Sequence, residues 1–420
     1  MIFKENYNKK SKNYNKCLKM NRINYIFHLI PGFMPITRGG AEIFAFNLCK
    51  HLPKYCYKPI IITRGYKGLN KSDYYEGIMI KRFWNLLPEK IKRFGLGSLL
   101  KSKYLRMMVA FFDIIGELLL MLKLYKRYRI KIVHSSFIVP TGFIGVIFKI
   151  ITGIPLIITV HGPADFYTTP KFIHPLLSLI LKKADRVITV SKRLETDIKR
   201  KFQMKNVCTI LNGVTPVKRP NNHERWVSKI MLKYQLDKNI HYPILIITGR
   251  LVKIKRVDLI IRAIPILKKS YPNIKLVILG EGIERSNLEK LGHQLKLDEN
   301  IIMPGWIPEN DKWGLLYGAD LYIHLSREEG LSLSLLESQF AGLPVIVPKS
   351  NFVKEIINEG YNGLYLNGKL DAENISSKIL QLLENPNLMK KFSGNALKNS
   401  NKFTLDAMVK NYVSEYQKIL

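Results

Sequence analysis

Two glutamates eight residues apart carry the most informative chemistry in the chain, in Glu329-Gly330-Leu331-Ser332-Leu333-Ser334-Leu335-Leu336-Glu337. A glycine turn follows the first, and an apolar helix leads to the second. Eight residues is slightly more than two helical turns, so Glu337 lies on about the same face as the loop that carries Glu329. Ser332 falls near the helix start, where backbone amides point outward. One acid could hold the ribose hydroxyls of a nucleotide while the other addresses its sugar. The plainer alternative is a solvent-facing pair, which the apolar flanks disfavour.

Three further stretches belong beside it. In Gly249-Arg250-Leu251-Val252-Lys253-Ile254-Lys255, Arg250 and Lys255 leave a strand end, where two cations can converge on a pyrophosphate. A solvated loop is the other reading, although Lys253 and Arg256 crowd the same place. Arg38-Gly39-Gly40-Ala41-Glu42 opens a helix after the first strand; paired glycines let a ligand approach, and helix N-terminal amides favour an anion. It is otherwise a tight turn, and it is not the GxGxxG dinucleotide pattern. His161-Gly162 follows an apolar strand directly, so its imidazole is a catalytic candidate or a structural hydrogen-bonder.

Strands with loops at their carboxyl ends must position these groups. The expected strands are Ile23–Ile30, Lys58–Thr63, Ile130–His134, Pro155–Val160, Arg186–Val190 and Val207–Leu211. A second series follows: Ile244–Thr248, Lys275–Leu279, Asn300–Met303, Leu321–His324 and Pro344–Val347. Continuous apolar strands alternating with helices imply parallel sheets covered on both faces. The reading is α/β with two doubly wound domains, and the polar, Pro/Asn-rich stretch 215–242 marks their boundary. In open parallel sheets ligands bind beyond the carboxyl ends of the strands, which places the chemistry in a cleft between the domains.

The chain has 420 residues, and 47% of them are apolar, which excludes a disordered chain or a small disulfide scaffold. Its net charge of +35 is uneven. Residues 1–220 carry 40 Lys and Arg against 11 Asp and Glu, a net +29; the rest carry 27 against 21, a net +6. A basic half fits nucleic acid, an anionic membrane or a phosphorylated substrate; a compositional bias toward lysine is the other source. Leu105–Leu122 is strongly apolar but holds Asp113 and Glu117 four residues apart, and Phe137–Val160 is broken by Lys149, Pro155 and glycines. Neither is read as a membrane span, although the first could lie on a membrane surface. The Lys/Asn/Tyr-rich start is not a secretory signal. Cys17, Cys49, Cys56 and Cys208 lack metal spacing and read as reduced cytosolic thiols.

With these residues in view, Gly249 to about Leu366 resembles the retaining glycosyltransferases of family 4, the "glycosyl transferases group 1" domain. The matching stretches are GRLVKIKRVDLIIRAI, LVILGEGIERSNLEKL, MPGWIPENDKWGLLYGADLYIHLSREEGLSLSLLESQFAGLPVIV and EIINEGYNGLYL. The first half is similar to the companion N-terminal domain through PITRGGAE, IITVHG, ADRVITVSKRL and ILNGV. The resemblance covers roughly residues 23–420, and its EX7E element is its most specific part. It implies a GT-B fold, two Rossmann-like domains facing an interdomain cleft. The expected layout is a basic tail 1–20, an acceptor-binding domain 21–214, a linker 215–242 and a nucleotide-sugar-binding domain 243–400. A C-terminal helix, 401–420, packs back on the first domain.

By the same resemblance, Arg250 and Lys255 bind the donor diphosphate, Glu337 the ribose and Glu329 the donor sugar. Gly330, Leu331 and Ser332 offer backbone amides, and the backbone of Ile307 contacts the base. Gly39 and Gly40 close over the phosphates, and His161 stands near the transferred sugar. Two departures from the family pattern are Leu331-Ser332 in place of Phe-Gly and Arg256 after Lys255 in place of Gly. Ser332 narrows the loop beside the sugar, which bears on donor identity more than on activity.

The expected reaction moves a hexosyl group from a nucleoside-diphosphate sugar to an acceptor hydroxyl with retention. Arg250, Lys255 and the helix amides stabilise the leaving diphosphate. No Asp-x-Asp occurs, so neither a metal nor another cofactor is expected. The setting is cell-surface polysaccharide or glycolipid assembly by a cytoplasmic enzyme, peripheral on the inner face of the cell membrane. A glycan or lipid-linked acceptor and an anionic membrane surface are its partners, without nucleic acid. A nucleotide-sugar epimerase, a phosphorylase, a basic nucleic-acid-binding protein and a silent scaffold are the competing readings.

Overall fold

The computed structural model describes residues 23–37, 39–66, 68–84, 103–167, 169–237, 242–326 and 328–420. The chain divides into two compact units: one runs to Asn212 and is resumed by Leu405–Leu420, and the other is Gly213–Thr404.

The first unit contains β1 (Asn24–Leu29), α1 (Gly40–His51), β2 (Tyr57–Arg64), β3 (Ser72–Tyr75), β4 (Ile78–Phe83) and α2 (Lys103–Tyr125). It continues through β5 (Ile130–Ser136), α3 (Phe143–Thr152), β6 (Leu156–Val160), α4 (His174–Lys183), β7 (Arg186–Thr189), α5 (Lys192–Phe202) and β8 (Val207–Thr209). The sheet order is β3-β4-β2-β1-β5-β6-β7-β8, parallel throughout except for β3 against β4. That hairpin has no counterpart among the expected strands. Its two turn residues, Glu76 and Gly77, both have positive φ, as a tight hairpin with the twist of its strands requires. Every residue of β6 is buried, the signature of a strand covered on both faces.

The second unit begins with α6 (His223–Lys233), inside the stretch expected to be a linker. Val227, Ile230 and Met231 are buried along one face of α6, so this polar segment folds by burying three apolar side chains. Then follow β9 (Ile244–Thr248), α7 (Val257–Leu267), β10 (Lys275–Leu279), α8 (Arg285–Gln294), β11 (Ile301–Gly305) and α9 (Glu309–Gly318). The unit is completed by β12 (Leu321–Ile323), α10 (Leu333–Ala341), β13 (Val345–Pro348), β14 (Gly363–Leu366), α11 (Ala372–Leu383) and α12 (Pro386–Ser400). The six strands are parallel in the order β11-β10-β9-β12-β13-β14, one more than the five expected. This is the doubly wound order whose direction reverses between the first and fourth strands, here β9 and β12.

The last helix, α13 (Leu405–Lys418), belongs to the first unit. Its Tyr412 and Tyr416 are fully buried, and the Tyr416 hydroxyl lies 2.7 Å from His134 Nδ1. Among the described residues no helix is long and apolar enough to cross a membrane. Cys49 and Cys208 are free, as expected, whereas Cys56 is disulfide-bonded, against the expectation of four reduced thiols.

Candidate functional site

In the second unit the loops that leave β9 and β12 meet at the point where strand order reverses. The β9 loop is folded onto the turn after β10: Leu251 N donates to Glu281 O at 2.8 Å, and Glu284 N to Leu251 O at 3.0 Å. Only glycine permits this approach. A Cβ on Gly280 would lie 1.9 Å from Gly249 O, and one on Gly282 would lie 2.2 Å from Leu251 O. The clamped loop delivers Lys253, Lys255 and Arg256 to the N-terminus of α7, the positive end of the helix dipole. Cations gathered there repel the dipole unless an anion offsets it.

Glu329 supplies that anion from the β12 loop. Its Oε1 accepts a hydrogen bond from Lys255 Nζ, with both side chains largely buried. Burial alone would raise the Glu329 carboxyl, but Lys255 above all holds it down at about 2. His324, fully buried at the end of β12, stands 3.5 Å from the same oxygen, and burial lowers its imidazole to about 4. It therefore meets Glu329 as a neutral ring. The Lys255 ammonium has three N–H donors, so engaging Glu329 leaves others for a second anion. Arg250 is exposed on the same loop.

Gly330, Leu331 and Ser332 are buried where α10 begins, and Ser332 is its N-cap, accepting from Leu335 N at 3.4 Å. This agrees with the expected helix start. Glu337 sits within α10 on its buried side. It does not join Lys255; its Oε1 is 2.8 Å from Lys312 Nζ of α9, which also lies 2.8 Å from Glu309 Oε1. Burial opposes the Lys312 charge, but Glu337 and Glu309 outweigh it and raise its pKa above the ordinary value; burial raises the Glu337 carboxyl too, and Lys312 pulls it back down. Ile307 lies between β11 and α9, half-buried. Lys312 and His324 escaped the sequence reading. Lys312 is one charge in a polar helix start, and only its place against Glu337 marks it.

The remaining candidates lie in the first unit. Gly39 is the N-cap of α1 and Gly40 its first residue, after β1, which stands between β2 and β5 where that sheet reverses direction. Arg38 lies outside the described residues. His161 follows β6, its ring 4.7 Å from Phe44 of α1 and 5.4 Å from Phe137. Burial lowers its imidazole to about 3, so it is neutral at physiological pH.

Two families account for most of this chain: Glycosyltransferase Family 4 over residues 38–218 and Glycosyl transferases group 1 over residues 229–399. The chain belongs to the family 4 glycosyltransferases. Among the relatives of this glycosyltransferase, an uncharacterised glycosyltransferase of Methanocaldococcus jannaschii is 28% identical over 66% of this chain and 73% of its own. The alpha-monoglucosyldiacylglycerol synthase of Acholeplasma laidlawii is 29% identical over 36% of this chain and 37% of its own. A glycosyltransferase from Rickettsia africae aligns with a TM-score of 0.72 at 22% identity, over 94% of this chain and 98% of that one. Anabaena HepE, solved with UDP and glucose, also gives 0.72, at 16% identity over 94% and 100%. The fold is GT-B.

Proposed function

We propose that this glycosyltransferase moves a hexosyl residue from a nucleoside-diphosphate sugar to an acceptor hydroxyl with retention of anomeric configuration. The observation that carries the reading is the Lys255–Glu329 pair, held at the reversal point of the second sheet beside exposed Arg250. As the bond to the anomeric carbon breaks, negative charge gathers on the leaving diphosphate. Arg250 and Lys255 stabilise that charge, and the amides before α10 hold the phosphate or sugar. Glu329, ionised through the physiological range, faces the sugar as it becomes oxocarbenium-like. Glu337 takes the ribose and the Ile307 backbone the base; Gly39, Gly40 and His161 serve the phosphates and the transferred sugar. With cations on the diphosphate, transfer is expected to proceed in chelator.

The decisive experiment screens UDP- and GDP-sugars for thermal stabilisation, then follows transfer and the anomeric configuration of the product. Nucleoside diphosphate released only with acceptor present supports transfer; release without acceptor points to the epimerase reading. An inverted product, or activity lost in chelator and restored by magnesium, overturns the corresponding part.

The acceptor is proposed to be lipid-linked and met at an anionic membrane on its cytoplasmic face, in cell-surface glycan or glycolipid assembly. Helix α2 supports this reading because its faces are reversed. Asp113 and Glu117 are each 2% exposed, with Asp113 Oδ2 2.8 Å from Arg64 Nε, whereas Phe111 and Leu119 are 59% and 61% exposed. Phe111, Ile115 and Leu119 recur every four residues along that outer face, and Lys123, Lys126, Arg127 and Arg129 follow it, all exposed. Phe172, Leu176 and Leu179 add a second apolar row on and just before α4, beside exposed Lys182 and Lys183. Apolar rows flanked by cations suit the interface of an anionic bilayer. Lys90, Lys92, Arg93 and Lys101, four further cations of the basic half 1–220, lie outside the described residues. The protein is expected to sediment with phosphatidylglycerol vesicles at low salt and less with added salt, and Phe111→Ser/Leu119→Ser to abolish it. Retention on nucleic acid above physiological salt would instead favour the nucleic-acid reading.

A further inference from the structure

We infer that Lys312 is a positioning residue for nucleotide recognition: it orients the Glu337 carboxylate so that its second oxygen can accept a ribose hydroxyl. The inference rests on the proposed nucleotide-sugar donor and adds a residue that neither the spacing of the two glutamates nor the family resemblance assigns. Lys312 Nζ engages Glu337 through Oε1 at 2.8 Å and not through Oε2. Lys312 thus ties down one oxygen and leaves the other to accept.

The arrangement is built to stay fixed. Trp313, the residue after Lys312, is fully buried and donates from Nε1 to Glu309 Oε1 at 2.9 Å. Glu309 in turn contacts Lys312 at 2.8 Å, three residues along the same helix. Lys312 is therefore held between an exposed carboxylate on its own helix and a buried one on α10, with its ammonium neutralised on both sides. A buried carboxylate without such a cation takes up a proton, and a protonated Glu337 would donate where it must accept. The same lysine ties recognition of two parts of a nucleotide together. It stands five residues after Ile307, whose backbone is assigned to the base, and it grips the acid assigned to the ribose.

The test measures binding of UDP, GDP and their 2′-deoxy forms by calorimetry, using whichever nucleotide the wild type binds. Lys312→Met should weaken binding of the ribonucleotide about tenfold, leave the 2′-deoxynucleotide within twofold, and raise the donor KM with kcat nearly unchanged. Lys312→Arg should restore most of the discrimination. Because Lys312→Met leaves an acid unpaired and could unfold the chain, the cycle is completed with Glu337→Gln and the double variant. On Glu337→Gln, which has itself lost the discrimination, Lys312→Met should change binding less than twofold. Equal weakening of both nucleotides, or losses that simply multiply in the double variant, would overturn the positioning role. Wild type that binds neither nucleotide would overturn the proposed donor, and the inference with it.

Discussion

The two units share a plan of parallel strands and covering helices, yet they differ in how they treat the buried ionisable groups nearest their candidate site residues. In the second, each buried carboxylate of the site is paired with a lysine, Glu329 with Lys255 and Glu337 with Lys312; Lys255 holds the Glu329 carboxyl down at about 2, while burial still raises that of Glu337 against the pull of Lys312. In the first, apart from ion pairs such as Arg64–Asp113, burial favours the neutral forms of three histidines and a glutamate. His28 and His161 are lowered to about 3 by burial, His134 lies well below its usual value for the same cause, and Glu117 is raised to about 8. Charge retained against desolvation is what a site for a charged ligand requires, since its groups must act without waiting for protons. Neutral groups hold a sheet and its last helix together: His134 bonds both the Tyr416 hydroxyl and Thr159 Oγ1, and His28 bonds Ser136 Oγ at 2.9 Å.

If this contrast is right, the largest effects come from breaking the charged pair. Glu329→Ala and Lys255→Ala should each lose at least tenfold in turnover with folding retained. The double variant should be little worse than either single one, since the two groups form one unit. Wild-type-like rates from either single variant would remove the pair from the chemistry.

His161 tests the neutral side. With its imidazole lowered to about 3, the rate should show no histidine ionisation between pH 5 and 8. His161→Phe should lose about tenfold, and a bell with a limb near 6.5 that vanishes in this variant would mean the ring works protonated.

Glu117 provides a smaller effect on stability. It is protonated in the folded chain up to about pH 8 and ionised in the unfolded chain above the ordinary carboxylate range. The folded state then binds more protons, so its stability falls as pH rises from about 4.5 through 8. Glu117→Gln should raise Tm by a few degrees at pH 8.5 and leave it almost unchanged at pH 5; equal shifts at both would deny the buried proton. Smallest is Tyr416→Phe, expected to cost about 1 kcal/mol in denaturant unfolding through the lost bond to His134.

Most strands were legible because parallel strands covered on both faces are continuous apolar runs, as in Ile244–Thr248 and Leu156–Val160. The misses have physical causes. Strands β3 and β4 carry Asp73, Lys81 and Arg82, and β14 is only four residues long, so none reads as an apolar run of useful length. Helix α6 is mostly polar and is held by three buried side chains that only its neighbours define. Among the site residues, the loops after β9 and β12 announced themselves because glycine, cations and acids follow apolar strands directly.

What the chain by itself determined is therefore a list: which residues stand at the carboxyl ends of strands, that Ser332 starts a helix, and that Glu329 precedes that helix while Glu337 lies within it. Periodicity and turn chemistry are local, and they can be read locally. The partners were decided only by tertiary structure. Lys255 meets Glu329 across 74 residues, and Lys312 meets Glu337 across 25. Strand order brings the first pair together, because the fourth strand returns to lie beside the first. The second is made by the packing of α9 against α10. A glutamate's charge state follows from the cation it meets, and that cation is set by the fold.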